Sequence, residues 1–354
     1  MPTQSKVQFI LDDINQSIEQ HANHNPYPRS YLGASAIGHE CSRKLWYNFR
    51  HASFEYIDHK SKKRFEDGHY SEAVYINRIK QAGYSLQHEV QGKQYGFKDL
   101  GGWFRGHRDG KLFNVPGIGD AIWEHKSSAK WKDLNKTIEK HGEAQALKQW
   151  NKTYYDQAQL YMCYEGVQWH ILTCASEGSR NESIVLTGFN KQDFEDIRNK
   201  AAHIIATDTP PPKISDNPTF FKCGWCDSNE VCHQKKIPKP NCRNCAHITF
   251  ITDNKEQDKP VAHCSANNVN IPTPDAMLNF YACHRFNPCF IDADCLGLDS
   301  GDVVYRSEKG QGFVNGSKGF SSMQMYETQD VKPWLSQMIN DITNHFGMES
   351  IKTE

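Results

Sequence analysis

Two periods run through the apolar positions of this chain. Residues 7–22 carry Val7, Phe9, Ile10, Ile14 and Ile18 at helical spacing, and residues 62–82 carry Phe65, Val74, Ile76 and Ile79 before Gly83. Both stretches are expected to be helices. Further helices are expected around residues 154–162, over 191–206, and near 331–346, where Trp334, Leu335, Met338, Ile339 and Ile342 share one side. Strands are expected at 103–109 and 122–126, at 169–174 and at 183–189. Asn114-Val115-Pro116-Gly117-Ile118-Gly119 between the first two reads as a hairpin loop. Val303-Val304-Tyr305 and Phe313-Val314-Asn315-Gly316, joined through Gly310-Gln311-Gly312, read as a small hairpin. Strands alternating with helices imply an α/β fold, and Thr209-Pro210-Pro211-Pro212 marks its end.

Composition narrows the classes. The chain has 354 residues, enough for two or more units. A formal net charge of -1 leaves nucleic-acid contact to local patches rather than a global field. No apolar run suits a membrane span and no secretory segment follows Met1, so a soluble, cytoplasmic protein is expected. Lysines 126, 130, 132, 136, 140, 148 and 152, interleaved with Trp131 and Trp150, read mostly as a solvated helix face, with some able to track a phosphate backbone. The 12 cysteines do not read as a secreted disulfide framework, because Cys223, Cys226, Cys232, Cys242, Cys245, Cys264 and Cys283 stand at metal-ligand spacings.

The candidate chemistry lies in residues 103–126. Strand alternation projects Glu124 and Lys126 together and turns His125 away, and Asp109 ends the preceding strand. Two carboxylates and a lysine in one pocket suit metal-dependent phosphodiester hydrolysis: the oxygens hold a hard cation, and the lysine steadies an attacking hydroxide or the charge building on phosphate. Asp109 with Glu124-x-Lys126 resembles the PD-(D/E)XK nuclease superfamily. Other stretches match in order. Gly68-x-x-x-Glu72 resembles the first motif of its RecB-like members, with Glu72 adding a carboxylate and His69 the near alternative; a solvated helical Glu is the plainer reading. Gln157 and Tyr161, four apart on one helix face, resemble the Gln-x-x-x-Tyr motif that follows the Glu-x-Lys strand.

Cysteines refine the resemblance. Cys223-x2-Cys226-x5-Cys232 lacks a fourth ligand, and Cys41 lies upstream. This pattern is similar to the iron–sulfur staple of AddB-type nuclease domains and of the small CRISPR-adaptation exonucleases, which implies a 4Fe–4S cluster; zinc suits the same four sulfurs. Cys242-x2-Cys245, Cys264 and Cys283 are compatible with a structural Zn²⁺, with His247, His263 and His284 as substitutes and Cys289 and Cys295 unassigned.

The resemblance implies a PD-(D/E)XK restriction-endonuclease-like core, a central mixed sheet flanked by helices, with a C-terminal Cys-rich module. The expected division is 1–29 helical segment, 30–235 nuclease domain, 241–296 cysteine module and 297–354 hairpin and helix, with residues 236–240 as a linker. The implied activity is that of a deoxyribonuclease using Mg²⁺ or Mn²⁺, an exonuclease on DNA ends, single-stranded ends foremost, of bacterial or phage type. Asp109, Glu124, the His125 carbonyl and Glu72 would hold the cation, Lys126 would orient water, and Gln157 and Tyr161 would position the strand. No phosphate-binding Gly-x-x-x-x-Gly-Lys-Ser/Thr loop is present, so a helicase or recombinase would be a separate chain. An endonuclease on the same core and a non-catalytic DNA-binding subunit remain alternatives.

Overall fold

The computed structural model describes residues 7–24, 29–271, 282–291, 294–297, 301–306, 312–317 and 319–329. The helix expected near 331–346 and the turn at Gly310-Gln311 lie outside the described residues. The chain gathers into two units, each drawn from separated stretches. One comprises Met1–Glu40, Glu55–Asp99 and Phe104–Ala202; the other comprises Cys41–Phe54, Leu100–Trp103 and His203–Glu354.

The first unit is built on a five-stranded mixed sheet, in keeping with the α/β expectation. Its strands are β1 (Ser85–Gln87), β2 (Gly110–Val115), β3 (Gly119–Ser127), β4 (Trp169–Ala175) and β5 (Glu182–Gly188), in the order β5-β4-β3-β2-β1. Only β3 and β4 are parallel, and that pairing needs a crossover. The helices Trp131–His141, Glu143–Trp150 and α3 (Lys152–Glu165) supply it. Asn151 caps α3 by accepting from the amides of Thr153 and Tyr154 at 3.0 and 3.2 Å, and Gly166, in the left-handed region at φ 65°, ends it.

Helix α1 (Gln8–Asn23) leads the chain, and α2 (His59–Gln81), capped by Asp58, lies on one face of the sheet. Tyr75, Ile76 and Ile79 of α2 pack with Leu112, Ala121, Trp123 and Ile171. Helix α4 (Lys191–Ala206) is held through Arg198, paired with Asp99 at 2.6 Å.

One expected strand divides differently. Residues 103–109 do not form the first arm of the hairpin. Phe104–His107 pairs instead with Leu32–Gly33 and Gly96–Asp99 in a separate three-stranded sheet, and Gly110–Val115 is the arm beside β3. Asp109 therefore sits in the short link between two sheets. The alternating pattern marks strand character but not which partner a strand finds.

The second unit gathers around the helix Ser42–Phe49, whose first turn is capped by Cys41 Sγ accepting from the Lys44 amide at 3.4 Å. Trp46 stacks on Phe290 with centroids 5.6 Å apart, and Phe49 packs against Phe250 at 4.8 Å and Trp103 at 6.1 Å. The buried Arg243 guanidinium lies 4.4 Å from the Phe49 ring centroid, and its Nε donates to the Phe49 carbonyl at 2.6 Å. Ring faces and carbonyls offset part of the cost of burying that charge. Strands β6 (Ile248–Phe250), β7 (Ala262–Cys264) and β8 (Val269–Ile271) form an antiparallel sheet. The expected hairpin is present, Val303–Arg306 pairing with Gly312–Asn315, and Asp294–Gly297 adds a third strand.

Within residues 236–240, expected as a linker, Ile237, Pro238 and Pro240 are buried while Lys236 and Lys239 are exposed. Ile237 is 4% exposed and joins Phe286, Ile291, Val303, Tyr305 and Met325 in one cluster. The β-branched apolar side chain of Ile237, just before Pro238, gains more from burial than from serving as a tether.

Candidate active site

Strand β3 supplies the centre of the site. Its alternation sends Ala121, Trp123 and His125 toward α2, and Glu124 and Lys126 toward α3. The register Gly110↔Trp123 sets Asp109 alongside the next residues of β3, where its Oδ2 accepts from the His125 amide at 2.9 Å. The same oxygen lies 3.9 Å from Lys126 Nζ, which also pairs with Glu124 Oε1. Gln157 Nε2 donates to Glu124 Oε1 at 3.0 Å and to the Tyr161 hydroxyl at 3.1 Å, and that hydroxyl donates to the His107 carbonyl at 2.6 Å. Gly106 permits this approach, since a Cβ there would stand 2.8 Å from Tyr161 Cε1 and 2.7 Å from Ala34 Cβ. Glu124 is 2% exposed, and its second oxygen, Oε2, is buried with no hydrogen-bond partner among the described residues.

Glu72, Asp109, Glu124, Lys126, Gln157 and Tyr161 all line one cavity of about 840 Å³. Glu72 enters from α2, and His69, the alternative to it, is exposed at the same cavity. Burial first, then the Asp109 charge, pushes the Glu72 carboxyl up to about 7, against the opposing pull of Lys126. The Glu124 carboxyl is raised by the same two causes. Burial disfavours the Lys126 ammonium, but Glu124 and Asp109 outweigh it and hold its pKa above the ordinary lysine value. The pocket thus crowds carboxylates that resist ionising together, with one firmly charged lysine among them.

The His125 ring takes no part in this crowd. It stacks on Tyr75 at 4.2 Å, its Nε2 lies 2.8 Å from Ser71 Oγ and its Nδ1 lies 2.9 Å from Thr173 Oγ1. Burial drops its pKa to about 4, leaving it neutral, so only its main chain meets the acids. Thr173 Oγ1 also accepts from Trp123 Nε1 at 3.1 Å, so one hydroxyl orders two β3 side chains.

Sequence reasoning passed over the basic wall of the cavity: Arg29, Lys62, Arg64, Arg105 and His107. For Arg105 and His107 the signal was present, since they alternate with the buried Phe104 and Gly106. Arg29, Lys62 and Arg64 come from segments with no strand pattern to point them inward. Of the lysine series that begins at Lys126, only Lys126 lines the cavity. Lys148 pairs with Asp193 at 3.0 Å and Lys152 with Asp156 at 2.5 Å, while Lys130, Lys132, Lys136 and Lys140 are exposed.

Eight cysteines of the second unit fall into two groups. Burial raises the Cys223 thiol, and the neighbouring Cys226 and Cys41 add to the effect; burial also raises Cys232, with Cys41 again contributing. Cys41 and the downstream triplet are therefore electrostatic neighbours. Cys242, Cys245, Cys264 and Cys283 line a separate cavity of about 20 Å³ together with His247 and His284. Among the described residues, no three His, Cys, Asp or Glu side chains already converge as a metal-holding group. Nor, among them, is any helix long and apolar enough to cross a membrane.

No protein-family model matches the chain, and no curated protein matches it. Among solved structures, an alkaline exonuclease from Laribacter hongkongensis is similar over 50% of this chain and 87% of its own, at 14% identity and a TM-score of 0.35. A phage-related exonuclease from Haemophilus somnus 129PT is similar over 49% of this chain and 91% of its own, at 14% identity and a TM-score of 0.33. Likeness at this level decides neither fold nor activity, and the reading of the site rests on the chain's own residues.

Proposed function

We propose that the chain is a Mg²⁺- or Mn²⁺-dependent deoxyribonuclease of the PD-(D/E)XK type, an exonuclease acting at DNA ends. The observation that carries this reading is the meeting of Asp109, Glu124 and Lys126 on one wall of a wide cavity, with Gln157 and Tyr161 behind them. The residues fit a hard divalent cation. Glu124 Oε2 is a buried acceptor without a hydrogen-bond partner among the described residues, and Glu72 and Glu124 are raised by burial and by the Asp109 charge, a strain that a cation relieves. Asp109, Glu124 and the His125 carbonyl would hold the ion, with Glu72 contributing. When bound, it supplies Lewis-acid polarisation of the phosphate and neutralises developing charge.

The protein's own groups do the rest. Gln157 and Lys126 both occupy Glu124 Oε1, which leaves Oε2 for the cation. Lys126, kept charged by Asp109 and Glu124, orients the attacking water and offsets charge on the phosphate. Tyr161 ties α3 to the His107 carbonyl and keeps Gln157 in place. The basic wall of Arg29, Lys62, Arg64 and Arg105 suits the phosphates on either side of the scissile one.

For Cys41, Cys223, Cys226 and Cys232 we propose a 4Fe–4S cluster that staples residues distant in sequence and closes a long loop. The influence of Cys41 on both Cys223 and Cys232, and of Cys226 on Cys223, supports the donor set. Protein purified without oxygen should be brown, and Cys41→Ala should lose its iron; a colourless wild type containing zinc alone would assign the same sulfurs to zinc.

The deciding experiment incubates end-labelled linear and closed circular DNA, single- and double-stranded, with Mg²⁺ or Mn²⁺. Release of terminal label with circles intact is the expected result. Cutting of circles would make the enzyme an endonuclease. Intact DNA under every condition would leave a non-catalytic DNA-binding subunit.

A further inference from the structure

We propose that Cys242, Cys245, Cys264 and Cys283 bind one zinc-class divalent cation as a four-thiolate structural site, separate from the chemistry proposed for the carboxylates. The four thiols line the same small cavity, although they are spread along the chain. Cys242 opens the short helical turn Cys242–Asn244, Cys245 follows it, Cys264 ends β7, and Cys283 precedes the bridge between Cys245 and Phe286. Three chain segments are thereby presented to one point.

Three observations favour a single metal ion over a group of buried thiols. The cavity volume, about 20 Å³, is close to that needed for one water-sized occupant and far too small for an iron–sulfur cube. The sulfurs are also met by amide donors. The Arg285 amide donates to Cys245 Sγ at 3.5 Å, and Asn267 Nδ2 lies 3.8 Å from Cys264 Sγ. Donors aimed at sulfur serve a thiolate, the form that ligates metal.

Each imidazole at the cavity has its Nε2 engaged elsewhere. His247 Nε2 lies 3.0 Å from the Gly301 carbonyl, and His284 Nε2 lies 2.9 Å from Asn244 Oδ1. The four sulfurs form a set that suits tetrahedral zinc. The side chains do not yet converge as a ready metal group, so loading must draw them inward. As each Zn–S bond forms, the thiol releases its proton to solvent, and no electron is transferred. The ion would lock the 242–245 turn, the end of β7 and the 283–286 segment together, reinforcing the Ala246 amide to Arg285 carbonyl bond at 2.8 Å and the Ser265 amide to His247 carbonyl bond at 2.9 Å.

The test uses the full chain, stripped of metal under reducing conditions and titrated with zinc chloride against a chromophoric chelator, alongside total metal analysis. Wild type should take up a zinc equivalent that Cys264→Ser and Cys283→Ser each bind more weakly by at least the roughly 100-fold that loss of even an outer-shell partner can cost. Cys41→Ser should keep that equivalent. Cys283 is exposed, so its replacement spares the core, and Cys283→His, which restores a zinc ligand, should recover binding. Wild type without zinc uptake overturns the proposal. So does undiminished affinity in both serine variants, or failure of Cys283→His to exceed Cys283→Ser. None of these readings depends on DNA cleavage, so failure of the nuclease assignment leaves this test intact.

Discussion

The carboxylate cavity of the first unit and the thiol cavity of the second both gather potential metal ligands yet are built on opposite plans. The first measures about 840 Å³, mixes acids with a basic wall, and takes its residues from α2, β3, α3 and the link before β2. The second measures about 20 Å³ and is walled by cysteines, two histidines, Ile248 and Ile271. A site that acts on a polymer must leave room for it, so its donors stay partly unsatisfied. A site that only cross-links the chain is better closed, with hard ions suited to oxygen and soft ones to sulfur.

If the cysteine-bearing unit is one packed body, ending the chain after Lys239 should be the most damaging change. That truncation removes Phe250, Phe286, Phe290 and Tyr305, leaving Trp46 without Phe290 and Phe49 without Phe250. Loss of a buried aromatic side chain typically costs about 3–5 kcal/mol, against a total stability of roughly 5–15 kcal/mol. The expected product is insoluble or lacks a cooperative thermal transition. A soluble, cooperatively melting product would restore the idea of an independent module.

Lys126→Ala tests the catalytic side. It should lower the single-turnover cleavage rate by roughly 10²–10³, the usual effect of removing a transition-state charge stabiliser, while the protein still binds end-labelled DNA in a filter assay. A wild-type rate in this variant would dissolve the contrast between the two cavities.

Gln157→Leu is subtler. It removes the donor on Glu124 Oε1 and leaves Lys126 alone to orient that carboxylate. Manganese affinity, measured by titration calorimetry, should fall about 10–100-fold, as when an outer-shell partner is lost. Unchanged affinity would mean that Glu124 does not hold the cation.

The smallest effect is on stability against pH. Glu72, at about 7, and the raised Glu124 both ionise less readily in the folded chain than in the unfolded one. Their contribution is therefore fully present below about 4.5, the ordinary carboxyl value, and is lost as pH rises through their folded values. Metal-free protein should melt at lower temperature at pH 8 than this contribution alone would give at pH 5, and Glu72→Gln should flatten that slope. Mn²⁺ at about 100 times its dissociation constant should return about 2.7 kcal/mol at the higher pH. Differential scanning calorimetry across the pH series, with and without Mn²⁺, checks both the sign and the rescue.

Much of the site was legible in the sequence because its geometry is local. Side-chain alternation in β3 pairs Glu124 with Lys126 whatever surrounds the strand, and a four-residue step in α3 pairs Gln157 with Tyr161. The α/β alternation was readable for the same reason, since period and turn residues depend on near neighbours. Position across sheets is another matter. Asp109 meets the His125 amide only because β2 pairs with β3 at Gly110↔Trp123, and the preceding strand leaves for a different sheet. Glu72 faces Asp109 because α2 packs through Tyr75, while Arg105 and His107 become walls of the same cavity. Ile237 looked like part of a tether until Phe286 and Tyr305 covered it. What the sequence by itself determined was which side chains share a face. Which faces meet, and which groups burial then perturbs, was decided by tertiary packing, because register and desolvation depend on partners that lie far along the chain.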